Sequence, residues 1–199
     1  GTFRENINPA FELAYWSWGL KKANDWRERM GRERNADWDR MADQMAPWPV
    51  VNGVYVEAES VLEKDGGHPT QLAAYGFLPA SAYLDKEVMR KTLRHVLDNW
   101  DWADTWGWDF PLIAMTAIRL NEPEWALEAL LKSVQKNTYL PNGHNFQNEG
   151  LPLYLPGNGG LLTVVAMMCA GWDGCTEGNP GFPKNGQWNV KWEGLKPAL

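Results

Sequence analysis

The run Asp98-Asn99-Trp100-Asp101-Trp102-Ala103-Asp104-Thr105-Trp106-Gly107-Trp108-Asp109 places four indoles and four carboxylates within a dozen residues, directly ahead of an apolar segment. Indole faces pack against the C–H faces of pyranose rings, while carboxylates hydrogen-bond hydroxyls and, with a tuned pKa, transfer protons. The competing reading is an aromatic cluster buried for stability, with Asp109 capping the next helix. A second polar run, Asn137-Thr138-Tyr139-Leu140-Pro141-Asn142-Gly143-His144-Asn145-Phe146-Gln147, is followed by Leu153-Tyr154-Leu155-Pro156-Gly157-Asn158-Gly159-Gly160. Asn, His and Gln at that density offer many donors and acceptors with little charge, as a neutral polyol demands. The same amides and glycines are also ordinary turn residues that satisfy their own backbone. Residues 157–160 resemble an anion cradle as well, because free N–H groups at a helix start favour negative charge. His68 and His144 fall in loops and are candidates for ligand contact, whereas His95 falls inside an amphipathic helix and reads as structural.

Several other chemistries lack their residues. No His, Asp or Glu cluster has metal-ligand spacing, so no metal or other cofactor is expected. There is no Gly-x-Ser-x-Gly elbow and no Gly-Lys-Ser/Thr phosphate loop. Cys169 and Cys175 are too few for a disulfide scaffold, and their spacing permits a bridge without requiring one. Lys and Arg number 19 against 25 Asp and Glu, a net charge of −6 that repels a phosphate backbone and offers nothing to anionic lipid. Nucleic acid and membrane are therefore not expected partners. The longest apolar run, residues 161–170, falls short of the ~20 residues that span a bilayer. The surplus is in tryptophan, 13 of 199 residues, a ring suited both to cores and to surfaces that grip flat apolar ligands.

Three- and four-residue apolar spacing predicts helices over residues 9–30, 35–46, 69–78, 85–100, 109–120, 122–134 and 161–170. Asn52-Gly53, between β-branched residues, predicts a β-hairpin over residues 50–56, and residues 188–192 alternate as a short strand would. Segments 69–78, 109–120 and 161–170 are apolar on nearly every side; 85–100 and 122–134 are amphipathic. Such alternation suits paired helices in a ring, the inner ones touching neighbours on all sides and the outer ones facing water. The expectation is one all-α domain over residues 1–199, a partial toroid of helical hairpins with a small β-hairpin and an irregular tail.

Four stretches carry a resemblance: Glu5-Asn6-Ile7-Asn8-Pro9-Ala10-Phe11-Glu12-Leu13, Gly67-His68-Pro69-Thr70-Gln71-Leu72, Trp106-Gly107-Trp108-Asp109-Phe110-Pro111, and Leu153-Tyr154-Leu155-Pro156-Gly157-Asn158-Gly159-Gly160-Leu161. In this order they resemble the C-terminal half of six-hairpin glycosidases, near the family 65 and family 95 glycoside hydrolases. The resemblance implies an (α/α)6 barrel whose central cleft binds a glycoside and cleaves it with inversion, using one carboxylic acid and one base or phosphate. The position matching the family 65 general acid is Thr2, and the position matching a family 95 base is Pro156. The acid is thus expected upstream, and a complete twelve-helix barrel needs roughly twice this length at ~11 residues per helix plus connections.

The expected function is the catalytic-domain portion of an inverting glycoside hydrolase acting on an oligosaccharide or glycan, in a periplasmic or secreted setting. Glu59, Asp104 and Glu149 are the candidate catalytic carboxylates; Trp106, Trp108, Asp109, His68, Asn142, His144, Asn145 and Asn158 are the candidate substrate contacts. A second copy or a preceding segment is expected to cover the apolar inner helices. The alternatives are a non-catalytic carbohydrate-binding or assembly module that lost its acid, and a helical interaction scaffold whose tryptophans are only core.

Overall fold

The computed structural model describes residues 6–61 and 65–199, which are mostly helical with two short antiparallel ribbons. Thr2 and Glu5, both part of the resemblance to six-hairpin glycosidases, lie outside the described residues. The chain opens with α1 (Ala10–Arg29) and α2 (Ala36–Asp43), which fold back on one another. Asn35 caps α2 through the N–H groups of Asp37 and Trp38. Asn24, fully buried in α1, clamps the corner in both directions: its Nδ2 donates to the Asn35 carbonyl at 2.9 Å and its Oδ1 accepts the Asn35 N–H at 2.8 Å.

Arg34 closes the same corner by pairing with Asp39, Asp25 and Glu28 at 2.7, 3.0 and 2.8 Å. The Arg34 guanidinium holds the Asp39 carboxyl down at about 2. Because that value is depressed, the contribution is present above the ordinary Asp range near ~3.9 and is lost as pH falls towards 2. Arg34→Ala should lower the melting temperature modestly, less so in high salt, and should flatten the acid limb of stability against pH. Thermal melts at two ionic strengths and several pH values check this.

The predicted hairpin forms as β1 (Val50–Val51) and β2 (Val54–Tyr55), with Asn52 and Gly53 at φ of 52° and 81°, as a type I′ turn needs. The Tyr55 N–H donates to Thr92 Oγ1 at 2.8 Å, seating the ribbon on α4 (Lys86–Asn99). Asp85 caps α4. Residues 69–78 depart from the single helix expected: they form a 3-10 turn, Thr70–Leu72, and then the short α3 (Ala73–Gly76). This segment, expected to pair with α4, packs mainly on α1 and α5, and its 3-10 turn meets α4 as well.

The hub is α5 (Asp109–Arg119), every residue of which is buried, and α3, α4, α6 (Pro123–Leu130) and α7 (Leu155–Ala170) all pack on it. It ends in a Schellman motif: Asn121 adopts φ 61°, the Glu122 N–H reaches the Ala117 carbonyl, and the Asn121 N–H reaches that of Ile118. Pro123 then opens α6. This helix stops four residues before the predicted end, because Asn137 Nδ2 takes the carbonyls of Leu130 and Lys132 at 2.9 and 3.0 Å and turns the chain away.

Two further corrections concern the polar stretch. A second ribbon, β3 (Thr138–Tyr139) with β4 (Asn145–Phe146), lies within it. Helix α7 starts six residues earlier than expected, so residues 157–160 are helical rather than a cradle ahead of the helix. In the tail no strand forms over residues 188–192; the pairing there is a parallel bridge between Trp172 and Ala198. Cys169 and Cys175 are free thiols. Among the described residues no helix is long and apolar enough to cross a membrane.

Candidate functional site

The four tryptophans of the first run divide between two roles. Trp100 is buried and donates Nε1–H to the Gly67 carbonyl at 3.0 Å, and Trp102 stacks on Phe110 at 5.8 Å. Trp106 is 38% exposed, and Trp108 is half-buried beside a cavity. The carboxylates divide likewise. Asp98 pairs with Arg94, Asp101 caps the Ala103 N–H, Asp104 is exposed, and Asp109 is sealed.

Asp109 organises what surrounds it. It is the first residue of α5, one position past the N-cap that Trp108 supplies, so the predicted cap is displaced by one. Its side chain reaches back: Oδ2 accepts the Trp106 N–H at 2.7 Å, while the Asp109 N–H donates to the Trp106 carbonyl at 3.0 Å. The reciprocal pair closes a tight turn and aims the Trp106 ring outwards. The same carboxylate meets His68 Nδ1 at 3.0 and 3.1 Å. Burial pushes the Asp109 carboxyl up; the hydrogen bonds from His68 and Trp106 oppose that, the Asp104 charge adds to it, and burial prevails.

Four rings cluster over this carboxylate. His68, whose side chain is 37% exposed, lies 4.9 Å from Trp108 and 6.2 Å from Trp106, and Trp106 meets Tyr154 at 5.2 Å. The arrangement is a half-open aromatic wall with an imidazole in it, and the imidazole is oriented from behind by a buried acid. Asp104 is exposed nearby: its Oδ2 lies 3.3 Å from where a Cβ on Gly66 would be, two residues before His68, and its charge acts on Asp109.

The amide loop reaches the wall as a brace. Gln147, fully buried, accepts the Gly107 N–H at 2.9 Å and donates to the Thr105 carbonyl at 3.4 Å. Asn145, expected to bond sugar hydroxyls, is instead fully buried as a wedge between Gly107 and Gly157. Its Nδ2 holds the carbonyls of Lys136 and Thr138, and its Oδ1 is buried without a hydrogen-bond partner. Asn158 is committed to the same loop, accepting the Asn145 N–H and donating to the Gly143 carbonyl. Asn142 is exposed and accepts the His144 N–H; His144 is half-buried.

The structure therefore brings together His68, Asp104, Trp106, Trp108 and Asp109, with Asn145 and Asn158 behind them as loop structure. Glu59 lies on an exposed turn, where it accepts the Asn8 amide at 2.9 Å, and Glu149 lies exposed in the turn between Asn148 and Leu151. Tyr154 and Gln147 are the site residues that sequence reasoning passed over. Both sit inside the polar runs, but neither one's spacing signals contact with Trp106 or Gly107. Among the described residues no group of three or more His, Cys, Asp or Glu is placed to hold a metal ion. The chain matches no protein-family model and no curated protein.

Proposed function

We propose that this chain is a carbohydrate-active unit, the C-terminal portion of an inverting glycoside hydrolase of the six-hairpin type, acting on an oligosaccharide. The observation that carries the reading is the half-open wall of Trp106, Trp108, His68 and Tyr154 around a buried Asp109. Partly exposed indoles offer faces to pyranose rings, and the imidazole supplies a polar contact at a fixed position. Trp106 is exposed and Trp108 lies half-buried beside a cavity, which argues against the scaffold alternative. The α5–α6 hairpin, its first helix fully buried, is the part of the fold that supports a ring of helical hairpins.

In this reading Asp104 is the carboxylate in reach of the sugar and acts as the base that activates water, while Asp109 holds His68 in place. An inverting reaction needs a second carboxyl ~6.5 to 9.5 Å from the first, with room for that water. The reading assigns this partner acid to a segment outside the described residues.

A second reading, a binding module without turnover, is favoured by the placement of the other acids. Asp109 is sealed, and Glu59 and Glu149 are exposed on turns of their own. A glycoside panel separates the two: release of reducing sugar with inverted anomer supports the hydrolase, and saturable binding without release supports the module. In both, Trp106→Ala should weaken glycan affinity ~5- to 30-fold, equivalent to one or two kcal/mol of stacking, with the fold intact. Absence of binding to any neutral oligosaccharide sinks both.

A further inference from the structure

A cavity of about 390 Å³, distinct from the one beside Trp108, opens between the first ribbon, the 3-10 turn ahead of α3, and α4. The valines of the ribbon segment and Trp100 give it an apolar wall, and Glu57, Asp65, Gln71 and His95 bring polar groups to it. No ring of the aromatic wall lines it, and neither does Asp104 or Asp109, so a ligand held there is independent of the glycan reading.

Gln71 is the residue that marks the cavity as more than a packing gap. It is only 5% exposed, and its Oε1 is buried without a hydrogen-bond partner. An amide oxygen that has left water and met no donor is costly, and such a group in a folded protein calls for an explanation. Among the described residues no hydrogen bond holds the other end of the amide, so a turn about its terminal torsion brings the oxygen to the cavity without breaking one.

The charges point the same way. Among the described residues the lining holds two carboxylates, Glu57 and Asp65, and no Lys or Arg. Asp65 Oδ1 meets His95 Nε2 at 2.7 Å, while Asn99 Nδ2, a donor, faces the other ring nitrogen at 3.3 Å. His95 Nδ1 therefore accepts and Nε2–H donates, so the ring orients the Asp65 carboxylate without cancelling its charge. The lining thus offers acceptors and negative charge beside an apolar surface, and its complement is a cation with N–H donors on a hydrocarbon body. A metal ion is not that cation, because among the described residues no group of three or more His, Cys, Asp or Glu is placed to hold one.

We infer that this cavity binds a short aliphatic diamine, with one ammonium on Asp65 and the Gln71 oxygen, the other on Glu57, and the methylenes along the valines and Trp100. An ammonium carries three N–H donors, enough for a carboxylate and an amide oxygen together. The volume lies within the ~300 to 1,000 Å³ usual for small-ligand sites.

Titration calorimetry of the full chain with cadaverine, pentylamine and pentanediol tests the inference. The expected result is saturable one-to-one uptake of cadaverine, at least ~10-fold tighter than pentylamine, with the diol weaker still, because each ammonium adds a charge-assisted bond. Gln71→Met should weaken cadaverine ~10-fold while its denaturant midpoint stays at or above the parent's, since the variant removes an orphaned oxygen rather than a structural bond. Asp65→Asn keeps an acceptor for His95 and should bring cadaverine down to the affinity of pentylamine. Trp106→Ala should bind cadaverine like the parent. No saturable uptake, a diol that binds as well as the diamine, or a Gln71→Met variant that binds like the parent would each overturn the inference. Loss of cadaverine in Trp106→Ala would overturn it too, by placing the amine on the aromatic wall. Full displacement by magnesium at equal ionic strength would reduce the uptake to adsorption on an acidic surface. If a variant fails to fold, the ligand series on the parent and the magnesium competition still decide.

Discussion

Asp109→Ala is expected to cost about 2 kcal/mol of stability and to lower glycan affinity at least ~10-fold. The carboxylate is fully buried and serves two donors on different segments, the Trp106 N–H and His68 Nδ1. Removing it leaves the backbone donor of the turn without its acceptor and lets the imidazole swing, so the two exposed rings lose their fixed relation. Asp109→Asn separates geometry from charge, because its amide oxygen can still accept from Trp106 and its amide nitrogen can donate to a neutral imidazole. That variant should keep stability within about 1 kcal/mol of the parent.

The same pair of variants carries a pH signature. The folded Asp109 carboxyl lies above its ordinary range because burial disfavours the charge. Its contribution to stability is therefore complete below the unfolded value near ~3.9 and is lost as pH rises through the raised folded value. Asp109→Asn has no proton to lose, so its advantage over the parent should grow with pH across that window. Urea unfolding at a series of pH values measures the difference. A parent and an Asn variant with parallel profiles would show that Asp109 is not held in a desolvated state.

Gly107→Ala is expected to cost about 3 kcal/mol, at the upper end of overpacking penalties. A Cβ there would stand 1.8 Å from Asn145 Oδ1 and 2.7 Å from its Cγ. Asn145 cannot withdraw, because Nδ2 is held by two carbonyls and a Cβ on Gly157 would stand 2.3 Å from the same oxygen on its other side. The backbone of residues 106–108 must move instead, and Trp106 and Trp108 flank the displaced residue. Gly159→Ala is the contrast: that glycine is exposed in α7 with nothing within 4 Å of the added carbon. Replacing it should stabilise by about 0.5 to 1 kcal/mol, since glycine is a poor helix former. Denaturant midpoints of the two variants decide the matter. A Gly107→Ala protein that unfolds at the parent midpoint would show that the wedge is soft.

Much of the local structure was legible because local rules decided it. Asn52-Gly53 made its hairpin turn, Asn35 capped α2, and Asn121-Glu122-Pro123 turned α5 into α6. Where an element's limit depended on a distant partner, it was misplaced. Helix α6 is cut short by Asn137, seven residues beyond its last turn. The early start of α7 accompanies a contact that sequence spacing does not show, because Asn145 fills the space beside Gly157. The 3-10 turn before α3 offers its Leu72 carbonyl to Thr116 Oγ1 across the core.

The candidate site divides along the same line. The concentration of indoles, acids and amides in two short runs is a property of composition and order, and it pointed to the loops that meet around Asp109. Which indole faces solvent is a property of packing: Trp100 went inwards, Trp102 and Trp108 are half-buried against the core, Trp106 stayed at the surface, and no periodicity distinguishes them. Asn145 and Asp109 carry polar groups suited to a sugar, yet the fold spends both on its own backbone and on His68. From sequence alone came the places of most helices, the tight turns between them and the chemical character of the two loops, all set by contacts a few residues apart. The tertiary structure alone decided which side chains became wall, wedge or brace, because burial and hydrogen-bond partnership depend on segments that meet only when α5 is enclosed.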